Sequence, residues 1–244
     1  MKKHNLILGT SRCAQGLQPK VLLQETGINF FNYSFTIFHS PYGNSYLNSI
    51  KNKLDSKKDN GYHILTIDPW SISSITDDPN DIENFREIDS FIEKLKFVNL
   101  KPNWFYLSML NRNDLVNNFS KKSGHYLHND GWLEIKDLSM DSLSQNERLE
   151  SKLKNYRANM VNYKFSEARL NALIDIIKYL NKFGDVYLVR LPMHPEMQKI
   201  EELLMKNFEE RISKIIPMTK GYLDFTKNNG DYIYTDGNHL HKSS

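Results

Sequence analysis

Residues 166–192 read SEARLNALIDIIKYLNKFGDVYLVRLP, and this stretch decides the fold class. Leu170, Leu173, Ile176, Ile177 and Leu180 recur at the three- and four-residue spacing that lays one apolar stripe along a helix. Ser166 is a suitable N-cap, and the helix is expected over Glu167–Phe183 with Gly184 as its stop. Val186–Leu191, VYLVRL, follows and ends at Pro192. That run is apolar without alternation except at Arg190, the pattern of a strand covered on both faces. A helix feeding such a strand predicts a parallel sheet between two helical layers.

The same rhythm continues on either side. Met197, Ile200, Leu204 and Phe208 give helical spacing, with Pro195 suited to a first turn, and GYLDF (Gly221–Phe225) reads as a last short strand. Upstream, Asn5–Leu8 is a short apolar run closed by Gly9, and Ile28–Phe35 is aromatic and strand-like. Leu47, Ile50 and Leu54 mark a helix over Asn44–Leu54, and Tyr62–Ile67 forms a strand stopped at Asp68-Pro69. The expected architecture is a single α/β domain over residues 1–244. It is a three-layer α/β/α, flavodoxin-like fold with about five mostly parallel strands. The segment from about 76 to 162 breaks the rhythm and is too long for a structureless loop, so it is expected as an inserted helical and irregular subdomain.

Composition narrows the function classes. The net charge of +3 is spread along the chain with no basic stripe, which argues against nucleic acid as a partner. One cysteine, Cys13, excludes an internal disulfide and a multi-cysteine zinc site. His125, His128 and Asp130 form an H-x-x-H-x-D cluster, read here as a solvated loop, so neither metal nor cofactor is expected. No apolar run is long enough to span a bilayer, and MKKHNLILG lacks the longer apolar region of a signal peptide. An integral membrane segment is therefore not expected in this chain, and an anchor outside it stays open.

In a parallel sheet, working residues gather beyond the C-terminal ends of the strands. Ser11 follows the first strand, while Asp236 and His239, in TDGNHLHK, follow the last one by a loop. Both ends of the chain should meet at one edge. A serine hydroxyl becomes a nucleophile when an imidazole takes its proton and a carboxylate orients that imidazole. Asp236 and His239, three apart around Gly237, suit the last two roles. His241 is the rival base, set aside because it departs from the D-x-x-H spacing. Arg190 has two readings, an ion pair to a helix or a substrate anchor at the rim. Arg12 is read as holding its local turn and His194 as a loop residue, while Trp104, Phe105, Tyr106, Tyr126 and Trp132 are read as the insertion's own core before a sugar platform.

Gly9-Thr10-Ser11 near the start and Asp236-Gly237-Asn238-His239 near the end together resemble the SGNH/GDSL hydrolase superfamily, and LGTSRCAQGLQPK is similar to its bacterial cell-envelope branch. The resemblance covers residues 5–75 and 162–241 and implies serine-dependent ester chemistry on a carbohydrate, as O-acetyl esterase or O-acyltransferase, in the bacterial envelope. It implies Ser11, Asp236 and His239 as the triad, with the backbone N–H groups of Ser11 and Gly43 as oxyanion donors. Thr10 stands where the family usually has aspartate, and the chain reads IDPWSIS where a G-x-N-D block is expected. The nearest N-D pair is Asn113-Asp114, which makes Asn113 a candidate substrate contact. Two other readings stay open: an inactive SGNH-like glycan-binding domain, and a flavodoxin-like binding protein in which the two blocks are coincidental.

Overall fold

In β1 (Asn5–Leu8), Leu6, Ile7 and Leu8 are all fully buried. Successive side chains of a strand point to opposite faces. Leu6 and Leu8 accordingly join one apolar cluster and Ile7 another, so both faces of the sheet are covered. The structure, a computed structural model, describes residues 2–95, 98–99 and 124–244.

After β1 come α1 (Ser11–Gly16), α2 (Pro19–Thr26), β2 (Phe30–Asn32), α3 (Asn44–Lys53) and β3 (Gly61–Thr66). The middle of the chain holds β4 (Ser73–Ser74), α4 (Phe91–Lys94), a hairpin of β5 (His125–Leu127) and β6 (Leu133–Ile135), α5 (Ser142–Met160) and β7 (Lys164–Phe165). The alternation then resumes with α6 (Glu167–Leu180), β8 (Gly184–Arg190), α7 (Pro195–Leu204), α8 (Phe208–Ile212) and β9 (Gly221–Asp224). The main sheet has five strands in the order β2-β1-β3-β8-β9, and every pairing is parallel. Leu47 and Ile50 of α3, Leu170, Leu173 and Ile177 of α6, and Phe208 and Ile212 of α8 cover the Leu6 face. Cys13, Leu17 and Leu22, from α1, its cap and α2, cover the Ile7 face. This is the three-layer α/β/α, flavodoxin-like arrangement.

The decisive helix forms for the reasons its sequence suggests. Ser166 Oγ accepts the Arg169 N–H at 3.1 Å, and Leu170, Leu173, Ile176, Ile177 and Leu180 are buried. Each such side chain contributes about 1.5–3 kcal/mol by leaving water. The helix stops at Leu180, because Phe183 turns back to the Leu180 carbonyl at 2.8 Å and Gly184 opens β8. The second strand is also shorter than its aromatic run suggests. At Asn32 the outer edge of β2 is met by the hairpin, whose Asp130 carbonyl takes the Asn32 N–H at 2.8 Å.

The insertion is pinched at its base, where β4 and β7 pair antiparallel with Ser73 opposite Phe165. Several contacts among the described residues tie it to the sheet layers. Trp132 donates its indole N–H to the Gln15 carbonyl at 2.8 Å and stacks on His128, so this aromatic anchors the hairpin to α1. Leu153 of α5 packs with Trp70, Met193, Met197 and Ile200. Glu87 and Arg169 form a buried two-pronged pair at 2.7 and 3.1 Å. Trp104, Phe105, Tyr106 and Asn113 lie outside the described residues. Among the described residues no helix is long and apolar enough to cross a membrane.

His63, in the middle of β3, is fully buried and neither ring nitrogen has a hydrogen-bond partner. Burial, reinforced by nearby His4, lowers its pKa from 6.5 to about 4. The folded state thus keeps His63 neutral while the unfolded chain protonates it, so stability falls as pH drops from about 6.5 towards about 4. The loss amounts to about 3 kcal/mol. His63→Leu should flatten the urea-denaturation free energy between those pH values, and an unchanged slope would show that His63 is not responsible.

Candidate active site

The first half of the site is a turn that only glycine enters easily. Gly9 has φ +153°, and a Cβ there would lie 1.9 Å from Thr66 Oγ1. The Tyr46 hydroxyl accepts the Gly9 N–H at 3.1 Å, and Ser40 Oγ donates to its carbonyl at 2.7 Å. The chain therefore leaves β1 in a fixed direction, and Ser11 becomes the first residue of α1. The first N–H groups of a helix have no acceptor within it, so the N–H of Ser11 heads α1 free of an intrahelical bond.

The second half is the turn after β9. Asp236 Oδ1 accepts the N–H groups of Asn238 and His239, both at 3.0 Å, and Gly237 between them sits at φ +83°. The Gly237 carbonyl takes the N–H of His194 at 2.8 Å. These bonds aim the His239 ring. Its Nδ1 lies 3.0 Å from both Asp236 oxygens, and its Nε2 lies 2.9 Å from Ser11 Oγ. A carboxylate only accepts, so Nδ1 carries the proton and Nε2 turns its lone pair to the Ser11 hydroxyl. Burial by itself would raise the Asp236 carboxyl. The hydrogen bond from His239 and the nearby Lys152 ammonium outweigh it, holding the group well below the usual carboxylate range.

Several supporting residues have no signature in the sequence. Lys152, on α5 of the insertion, reaches Asp236 Oδ2 at 2.8 Å, and Arg148 of the same helix donates to the Thr235 carbonyl at 2.7 Å. Arg12 donates through Nε and Nη2 to Asn238 Oδ1 at 2.9 and 2.5 Å, which ties the serine turn to the histidine turn. Its Nη1 lies 2.6 Å from Glu201 Oε1, a fully buried acid that is also 3.6 Å from Arg190. The Glu201 contact is ionic, without hydrogen-bond alignment. Burial pushes the Glu201 carboxyl up, and the two arginines only partly offset it. Cys13, two residues past Ser11, is no rival nucleophile: burial pushes its thiol up to about 12.

Two expected residues are engaged elsewhere. Gly43 caps α3, where a Cβ would meet Glu87 Oε1 at 2.5 Å, and it lines a separate hollow with Glu87 and Asp175. The residues after β2 that do border Ser11's surroundings are Tyr33, Ser34, Phe35 and Thr36. Arg190 is held by Glu209 at 2.9 Å and lies over the Phe208 ring, so the ion-pair reading replaces that of a substrate anchor. Asn113 lies outside the described residues. His194 caps α7 by accepting the Glu196 N–H at 3.2 Å, and His241 bonds to Ser243 at 2.7 Å.

Ser11 borders two hollows. One of about 270 Å³ is of mixed character, with the polar side chains of Thr10, Asp68, Arg86, Asn159 and Asn238 among those lining it. A larger one of about 480 Å³ is mostly apolar, with Phe31, Phe35, Phe91 and Leu133 in its wall. Comparison with family models, curated proteins and solved structures returned no match.

Proposed function

We propose that the protein is a serine-dependent acyl ester enzyme, an esterase or O-acyltransferase acting on a carbohydrate, of SGNH/GDSL type. One observation carries this reading: an unbroken run of contacts from Asp236 through His239 to Ser11, at 3.0 and 2.9 Å, beside a cleft. In this reading Ser11 Oγ attacks the acyl carbonyl and its proton passes to His239 Nε2. The C–O bond to the sugar then breaks, and His239 returns that proton to the departing oxygen. Water or a second hydroxyl gives its proton to His239 and attacks the acyl-serine; the bond from the acyl carbon to Ser11 Oγ then breaks and His239 returns the proton to Oγ. The Ser11 N–H at the head of α1 is the oxyanion donor this reading uses, and Gly43 drops out of that role. Polarity assigns the sugar to the mixed hollow and the acyl group to the apolar one.

A fluorophosphonate probe, which phosphonylates activated serines, tests the proposal. The wild type should label, and Ser11→Ala and His239→Ala should not. A folded wild type that resists labelling and leaves p-nitrophenyl acetate unhydrolysed would refute it.

A further inference from the structure

Arg86 is the unusual cation of the mixed hollow that opens at Ser11. The other arginines of the interior have carboxylate partners: Arg12 has Glu201, Arg169 has Glu87 and Arg190 has Glu209. Arg86 has none among the described residues. Of the acids near it, Glu87 pairs with Arg169 at 2.7 Å and Asp89 with Lys94 at 3.9 Å, while Asp77 lines the adjoining hollow. Its Nη2 donates to the Ile37 carbonyl at 3.0 Å and to the Tyr163 hydroxyl at 3.1 Å, and its plane lies near the rings of Phe38 and Tyr163. Those contacts fix the guanidinium and leave the Nε and Nη1 hydrogens without a protein acceptor among the described residues.

The indole N–H of Trp70, also in the wall, is buried without a hydrogen-bond partner among the described residues. The one acid lining the hollow, Asp68, accepts the Ser71 N–H at 2.8 Å and has its other oxygen 3.9 Å from Arg12. Beyond Arg86 a polar hollow of about 350 Å³ shares Arg86, Asn159 and Tyr163 and runs on to Thr76 and Lys164. A half-buried, fixed guanidinium with open donors matches a planar carboxylate or a phosphate, which it can grip with two parallel bonds.

We propose that Arg86 anchors an anionic group on the alcohol half of the substrate, so that the sugar taken beside Ser11 is an acidic one, carrying a carboxylate or a phosphate. This rests on the ester reading above for the meaning of "substrate", whereas the binding itself is measurable without turnover. Calorimetric titration of the Ser11→Ala protein with methyl glucuronoside, glucose 6-phosphate and methyl glucoside is the test. At least one charged sugar should bind tenfold or more tightly than the neutral one, and which of the two does so identifies the anion. Arg86→Gln should abolish the preference, while Arg86→Lys, which keeps the charge but not the fork, should retain part of it. Charged sugars binding no better than methyl glucoside, or a preference that survives Arg86→Gln, would overturn the proposal. Failure of the ester reading appears separately, as a wild type that the fluorophosphonate does not label.

Discussion

Asp236→Asn is expected to slow ester turnover on the order of 10⁴-fold while leaving the melting temperature nearly unchanged. The asparagine oxygen can still accept the N–H groups of Asn238 and His239 that shape the turn at 3.0 Å, so the backbone keeps its course. What disappears is the charge facing His239 Nδ1. An amide in that position can offer its own N–H to Nδ1, which moves the ring proton to Nε2 and leaves no lone pair for Ser11. It also leaves Lys152 without its partner at 2.8 Å. Because Asp236 is held well below the usual carboxylate range, its charge persists through mildly acidic assays. The comparison of wild type and variant therefore holds at any ordinary pH. The check is kcat for p-nitrophenyl acetate alongside thermal denaturation by circular dichroism. A loss smaller than about tenfold would mean that Asp236 does not set the histidine's tautomer.

Arg12→Ala should be among the most damaging single substitutions to stability. It removes the nearer partner of Glu201, an acid with no exposed surface, and removes both donors to Asn238 Oδ1. Breaking one side of a buried pair costs about 3–5 kcal/mol, since the remaining charge cannot be rehydrated in place. For a chain of this size that corresponds to a fall of about 6–20 °C in Tm. Replacing both members, Arg12→Met with Glu201→Met, removes the stranded charge and should recover much of the loss. The double variant should still hydrolyse esters poorly, because Asn238 then lacks the grip that joins the two turns. Urea denaturation of the single and double variants reads the coupling directly. A single variant melting within about 2 °C of wild type would show that the network contributes little.

Much of this architecture can be read from residue order because it depends on local chemistry. The apolar runs at Leu6–Leu8 and, Arg190 apart, Val186–Leu191 fit strands covered on both faces, and the stripe from Leu170 to Leu180 fits a core helix. The pairing of Ser11 with Asp236 and His239 follows from strand direction, since parallel strands deliver their following loops to one edge. Long-range partners are another matter. Nothing near Lys152 in the sequence distinguishes it from Lys154, yet the rotation of α5 turns Lys152 to Asp236. Glu201 sits among the apolar positions Met197, Ile200 and Leu204, and a helix face shows nothing of the arginines that come to it from two other segments. The oxyanion assignment of Gly43 failed for a related reason: the path from β2 to α3 turns the glycine towards Glu87 of the insertion, and counting residues cannot measure that path. Arg190 allowed two readings because a lone cation in a strand accepts protein and substrate carboxylates alike; Glu209 decided between them.

The hydroxyl and the imidazole that meet at 2.9 Å are separated by 228 positions along the polypeptide, and the lysine that braces the aspartate comes from the stretch between them. During translation the serine is joined 228 positions ahead of its proton acceptor. A chain made only as far as the insertion therefore holds Ser11 without the imidazole that meets it in the fold. On the ester reading proposed above, the reactivity of the serine is thus a property of the long-range contacts of the fold.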